Sequence, residues 1–145
     1  MRILSSRGLR LLDVVLGALI VFSFFLPWMQ MEIVPVKGIN LNELAIENYG
    51  RKHFMAKVIY GLYLIPILAL YILNARIFSI RQFAIPAKVA VLVLSVVAFY
   101  MILQFHLDEE YNIWMREGAI ICLATSTVLL GIEIVGRQQS KSISD

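Results

Sequence analysis

Charged residues and cysteine are both scarce in this sequence, and each scarcity excludes a class of protein. Only 16% of the 145 residues are charged, whereas a soluble domain carries about a quarter. Cys122 is the single cysteine, so the chain has neither an intramolecular disulfide nor the CxxC pair of a thiol oxidoreductase. The formal charge of +3 is too small for the basic face of a nucleic-acid-binding domain.

Catalytic and metal-binding motifs are missing as well. The sequence contains no HExxH, no GxSxG and no glycine-rich phosphate loop. The two histidines, His53 and His106, do not form the i, i+4 pair of a helical metal site. We therefore expect a non-enzymatic chain without a cofactor.

What the sequence does contain is apolar residues in long runs. Hydrophobic residues make up 60% of the chain, and the mean hydropathy is +0.80. So small a domain cannot bury this much apolar side chain, and the excess must face lipid. Four runs, at residues 11–29, 56–75, 86–105 and 117–136, each approach or reach the about 20 residues that cross a bilayer core.

Because these runs are continuous rather than alternating, they predict helices and not barrel strands. The predicted fold class is all-α: a four-helix transmembrane bundle with a partly ordered outer loop. The bundle forms a single domain over residues 1–137, followed by a polar cytoplasmic tail at 138–145.

The basic residues predict the orientation, because cytoplasmic segments carry more Lys and Arg. One side of the bundle has eight of them: Arg2, Arg7, Arg10, Arg76, Arg81, Lys88, Arg137 and Lys141. The other side has five: Lys37, Arg51, Lys52, Lys57 and Arg116. Both termini are therefore predicted to be cytoplasmic, which puts the rings of Trp28 and Trp114 at the outer membrane interface.

The predicted outer loop, residues 30–55, has local structure signals of its own. MEIVPV, from Met31, reads as a short extended piece that ends in a turn at Lys37-Gly38. Asn40 and Glu43 have the spacing of a capping box, which predicts a short helix after the turn.

Three segments resemble uncharacterised small bacterial four-helix integral membrane proteins. They are FFLPWM at 24–29, the Lys37-Gly38 pair, and YGLYLIPILALYIL at 60–73. In that family the first helix ends in Pro-Trp and a glycine-containing outer loop follows. The resemblance implies a four-helix bundle in a bacterial inner (plasma) membrane, and it brings no activity with it.

Two acidic residues, Asp13 and Glu133, lie inside the predicted spans, where charge is costly and marks a site by default. Each shares a helix face with small residues, which predicts that both carboxylates point into the bundle. Arg10, Arg76 and Arg137 lie at the same depth and are the expected partners. The group is either a proton or cation site on the cytoplasmic side, or a set of ion pairs that fixes the helix ends.

Two further features of the spans are candidates for a role. Gly118, Cys122, Thr125 and Ser126 form a small-residue face on the fourth span, which predicts close packing within the bundle or against a second subunit. Pro66 lies in the middle of the second span and predicts a kink, either purely structural or a hinge.

Three function classes follow from these residues. We expect first a structural or accessory membrane protein, such as a small subunit of a larger complex, in contact with lipid and with a membrane-protein partner or further copies of itself. The alternative is a small oligomeric transporter or channel that works through Asp13, Glu133 and Pro66. A third class is an outer-facing sensor that uses the 30–55 loop with His53 and His106.

Overall fold

The structure is a computed structural model, and it describes residues 6–41, 54–77, 84–107 and 113–141. Most of these residues are helical. The helices are α1 (Ser6–Ser23), α2 (Phe54–Leu62), α3 (Leu64–Ile77), α4 (Ala84–Leu107) and α5 (Glu117–Lys141). The strands are β1 (Pro27–Met31), β2 (Val34–Lys37) and β3 (Ile113–Met115), and a 3-10 turn covers Gly38–Asn40.

Three helical stretches are long and apolar enough to cross a membrane. They are Lys57–Ala75, formed by α2 and α3, Ile85–Gln104 in α4, and Glu117–Gly136 in α5. Each agrees with its predicted span to within one residue. Only 33–39% of each stretch is buried within the bundle, so most of its apolar surface faces outward, as expected in a lipid environment.

The first span differs from the prediction, because α1 ends at Ser23 and not at Met29. The backbone N–H groups of the three residues after Ser23 bond three positions back, to Val21, Phe22 and Ser23, which tightens the end of the helix. Pro27 follows and has no N–H with which to continue the helix. The apolar helical part, Leu11–Ser23, is therefore only about 20 Å long at 1.5 Å per residue.

The segment after α1 forms a small sheet, so the predicted all-α class was wrong in this respect. The sheet is antiparallel with the order β2-β1-β3. A two-residue turn joins β1 to β2 and closes at the pair Met31 and Val34, while Gln30 pairs with Trp114 of β3. The extended piece after residue 31 was predicted, but β3 and its pairing were not.

Trp28 anchors this sheet on the helices. Its ring is fully buried, its Nε1 donates to the Ser23 carbonyl over 2.8 Å, and it meets the Phe24 ring edge-on at 4.8 Å. The sequence analysis placed this ring at the outer membrane interface and did not predict its burial among the helices. Trp114 is different, since 56% of it is exposed. Because α1 ends at Ser23, the Trp28 ring fills space in the core beyond the end of this helix.

The second span is interrupted at Tyr63, between α2 and α3. Pro66 has no N–H for the carbonyl of Leu62, so the helical ladder is broken one turn before the proline. The Tyr63 hydroxyl lies at the break and donates to the Ile39 carbonyl over 2.7 Å. The predicted irregularity is present, and its use as a hinge stays a prediction.

The four helical segments of the bundle, which are α1, α2 with α3, α4 and α5, pack in a ring in which neighbours in sequence are neighbours in space. α1 packs against α3 and α5, and α4 packs against the same two helices. α1 leads into β1, and β3 leads into α5, so the sheet lies at one end of the bundle, hereafter the sheet end. α5 continues as a helix to Lys141, so residues 138–141 are helical where a polar tail was predicted.

Candidate functional site

Three charged side chains from three helices meet inside the bundle. The Lys88 Nζ on α4 lies 3.0 Å from Asp13 Oδ1 on α1 and 2.9 Å from Glu133 Oε2 on α5. Both distances are those of charge-assisted hydrogen bonds in which the ammonium donates. We call these three residues the triad.

The triad is almost completely shielded from solvent. The side chain of Lys88 is 0% exposed, that of Asp13 is 2% exposed and that of Glu133 is 17% exposed. Removing charges from water is expensive, and only close pairing with good geometry offsets the cost. Lys88 has two carboxylates within hydrogen-bonding distance, and the arrangement joins α1, α4 and α5 at one level.

The chain direction explains why these positions meet. Asp13 lies in the first half of α1, Lys88 in the second turn of α4, and Glu133 in the last third of α5. α1 and α4 run toward the sheet end and α5 runs away from it. All three side chains therefore lie at the end of the bundle opposite the sheet, hereafter the triad end.

The structure brings Asp13 and Glu133 together but adds a partner that the sequence analysis missed. Lys88 was counted as a loop cation, although the predicted third span starts at residue 86 and includes it. A search for every charge inside the predicted spans would have found it. The expected partners Arg10, Arg76 and Arg137 lie on α1, α3 and α5, and their side chains are outside the part of the chain that the structure describes.

A second group of polar side chains lies nearer the middle of the bundle. The Ser95 hydroxyl donates to the Val91 carbonyl over 2.8 Å and lies 3.4 Å from the Cys122 sulfur. The Ser126 hydroxyl contacts the Cys122 carbonyl at 2.7 Å, and the Ser23 hydroxyl contacts the Ile20 carbonyl at 2.7 Å. Each hydroxyl thus donates to its own helix, which is how hydroxyls are accommodated in an apolar environment.

The triad and this hydroxyl group are not connected by hydrogen bonds among the described residues. Lys88 and Ser95 are seven residues apart on α4, which is about 10.5 Å along the helix. Buried apolar residues from three helices, Leu16, Val91 and Leu129, lie at the levels between. A proton relay needs neighbours within hydrogen-bonding distance, so these side chains form two separate polar groups.

The predicted small-residue face of the fourth span lies inside the chain's own bundle. Cys122, Thr125 and Ser126 are 1%, 7% and 0% exposed. A Cβ added at Gly118 would lie 2.6 Å from Trp28 Cδ1 and 2.7 Å from the Pro27 carbonyl. Gly118 is therefore needed where α5 approaches the segment that follows α1.

The remaining candidates offer no assembled site in the described residues. No three His, Cys, Asp or Glu side chains there are grouped as metal ligands. His53 and Glu43 lie outside the described residues, and of His106 only the backbone, in α4, is described. A cavity of about 20 Å³ beneath β1 has an apolar lining that includes Trp28 and Met29.

Comparison with protein-family models, with curated proteins and with solved structures finds no match to this chain. The resemblance to small bacterial four-helix proteins therefore stays a prediction. Three of its helical stretches are long and apolar enough to cross a membrane, and function has to be argued from its own residues.

Proposed function

We propose that this chain is a non-enzymatic structural or accessory protein of a membrane, acting as a small subunit of a larger complex. One observation carries the proposal. The charged groups found together inside the bundle are used to join its helices, since Lys88 Nζ contacts both Asp13 and Glu133 at hydrogen-bonding distance and is completely buried. The triad fixes the positions of three helices relative to one another. A bundle with fixed helix positions is suited to be a structural subunit of a complex.

The proposal includes a location and an orientation. We place the chain in a bacterial inner membrane, as the resemblance to small bacterial four-helix proteins implies, and we place both termini in the cytoplasm on the charge bias described above. The triad end then faces the cytoplasm and the sheet end faces outward. Cysteine residues introduced at exposed positions of the sheet, such as Lys37, should react with an impermeant maleimide in whole cells.

The second candidate is a small transporter or channel, and the triad itself is the observation that favours it. Titratable groups inside a membrane bundle are typical of ion and proton pathways, and Glu133 retains 17% exposure. Against it, buried apolar residues separate the triad from the hydroxyl group around Ser95. A transporter requires flux to fall in Glu133→Gln while abundance is unchanged, whereas a purely structural residue affects abundance alone.

The experiment that tests the leading proposal is native mass spectrometry of the tagged chain, extracted gently from its own membranes. The chain has a mass of 16.5 kDa. An accessory subunit should appear together with a different protein at a fixed ratio, and the same ratio should be found when the tag is moved to the other terminus. A mass that is only a multiple of 16.5 kDa would refute the accessory role and favour the oligomeric transporter.

A further inference from the structure

The two helices of the second span differ in how they pack. α3 packs against both α1 and α4, so it is a full member of the ring, whereas α2 packs chiefly against α4 and against α3 itself. α2 is the half nearer the sheet, because its residues Ile59 and Leu62 lie beneath β1 beside Trp28. The second span thus has one half fixed between two neighbouring helices and one half that rests mainly on a single neighbour.

The junction between the two halves has the features of a pivot. The Tyr63 backbone N–H bonds three positions back, to the Tyr60 carbonyl at 3.2 Å. Pro66 offers no N–H to the Leu62 carbonyl. A Cβ added at Gly61 would meet no described atom within 4 Å, so the neighbouring elements leave room there. Proline and glycine are usual causes of a kink, and a few residues at the end of an element can absorb a hinge rotation.

The inner face of α2 covers a small cavity. Ile59 and Leu62 of α2 form one wall of the cavity of about 20 Å³ beneath β1, and Ala98 and Ile102 of α4 form another. The lining is apolar, so a water molecule would find no polar partner there. Side chains beside an unfilled space lose dispersion contacts on that side. The closed position of α2 is therefore held less tightly than a completely filled interface would hold it.

The Tyr63 side chain fastens the pivot to the end of α1. Its hydroxyl donates to the Ile39 carbonyl over 2.7 Å, a hydrogen bond that we call the latch, and its ring meets the Phe24 ring edge-on at 5.8 Å. Ile39 is held in turn, because its N–H donates to the Phe24 carbonyl over 3.1 Å. The net contribution of one such hydrogen bond is small, so the latch can open and close at equilibrium.

We propose that α2 is a hinged cover that pivots about Gly61–Pro66, swings away from α4 to open the cavity, and is held closed by the latch. The hinge at Pro66 was a prediction from the sequence. The proposal adds the part that moves, the cavity that it covers and the bond that holds it. It applies whether the chain is an accessory subunit or a transporter.

The test is a pair of distance measurements on the full-length chain in lipid nanodiscs, made by double electron–electron resonance between spin labels. Labels at Lys57→Cys on α2 and Ile120→Cys on α5 give the α2–α5 distance. Labels at Ile67→Cys on α3 and Ile120→Cys give the α3–α5 distance. α5 lies opposite the second span in the ring. The three labelled positions are exposed and Cys122 is buried, so the labels attach at the introduced cysteines alone.

The decisive variant is Tyr63→Phe, which removes the latch hydroxyl and keeps the ring, and Tyr60→Phe is the matched control on the same helix. We expect two α2–α5 distances, a shorter closed one and a longer open one. In Tyr63→Phe the open-to-closed ratio should rise about fivefold, the change that follows from losing one hydrogen bond, while Tyr60→Phe should leave it unchanged. Pro66→Ala restores an N–H for the Leu62 carbonyl and should lower the ratio. The α3–α5 distance should be single and equal in every variant, which also shows that each variant is folded.

Four results would overturn the proposal. One α2–α5 distance that stays unchanged in Tyr63→Phe would show that α2 is a rigid part of the bundle. A change of both distances together would mean that the whole second span moves without a pivot at its break. An equal rise in Tyr60→Phe would show that the latch does not hold the cover closed. A ratio in Pro66→Ala that is not below that of the wild-type chain would exclude the proline break as the pivot.

Discussion

Removing the Lys88 ammonium is the perturbation whose effect follows most directly from the structure. The Lys88→Met variant has an unbranched side chain that roughly fills the same space, but it leaves the Asp13 and Glu133 carboxylates without the ammonium that both of them contact. Breaking a buried ion pair by removing one partner costs about 3–5 kcal/mol. We expect a loss of this size in the free energy of unfolding.

A charge-free variant separates loss of pairing from loss of packing. Asp13→Asn and Glu133→Gln, combined with Lys88→Met, remove all three charges and keep similar volumes. Replacing buried ion pairs by uncharged side chains is often close to neutral, so the triple variant should recover most of the stability lost by Lys88→Met. The effects of the three changes should be strongly non-additive, because the residues are in direct contact.

The assay is reversible unfolding in mixed micelles of mild detergent and SDS, followed by circular dichroism or by tryptophan fluorescence. Interhelical hydrogen bonds in membrane proteins contribute only about 0.6 kcal/mol on average. A loss below about 1 kcal/mol for Lys88→Met would therefore place the triad among ordinary polar contacts. That result, or a triple variant no more stable than the single one, would mean that the ammonium does not compensate the two buried carboxylates.

Three further predictions concern the sheet end. Gly118→Ala places a Cβ 2.6 Å from the buried indole and should cost about 1–3 kcal/mol of unfolding free energy. Gly131→Ala, with no atom within 4 Å, is the matched control and should be neutral or stabilising by up to about 1 kcal/mol. Tyr63→Phe removes the hydrogen bond to the Ile39 carbonyl and should cost about 1 kcal/mol, seen as earlier proteolysis of the segment after β2. Glu32→Gly relieves the left-handed backbone and should raise the unfolding free energy by up to about 1 kcal/mol; a decrease would mean that the Glu32 side chain stabilises the turn.

The three later spans could be predicted from sequence because length and apolarity are sufficient for a membrane helix. The end of the first helix could not, because a continuous apolar run does not distinguish a helix from a buried strand. Pro27 was the available signal: the predicted span continued through it to Met29, whereas the helix ends four residues before the proline, at Ser23. The burial of Trp28 was missed for the same reason.

The sheet as a whole depends on contacts that local sequence does not encode. β3 has three residues and pairs with β1 across more than eighty positions of the chain, as Gln30 with Trp114. So short a segment carries no periodicity, and the pairing needs the bundle to bring α1 and α5 together first. The extended piece that became β2 was predictable, because Gly38 marks its end.

The triad was predicted in part. Asp13 and Glu133 were identified because they are charged residues inside apolar runs. The small residues on the same helix faces predicted that both side chains point into the bundle. Lys88 was counted among the cations between the second and third spans, although it lies inside the predicted third span. The structure shows that an ammonium at this depth can instead turn inward when two carboxylates are within its reach.

Whether the triad charges have any role besides joining α1, α4 and α5 can be measured directly. The charge-free variant carrying Asp13→Asn, Lys88→Met and Glu133→Gln is expressed in place of the wild-type chain, and its abundance and its complex are measured by native mass spectrometry. If the charges only hold the helices together, the variant is an inserted, abundant chain that still binds the same partner at the same ratio. Unchanged abundance with loss of the complex, or with loss of a measurable ion flux, would contradict this expectation, because the charges would then perform a function beyond holding the helices together.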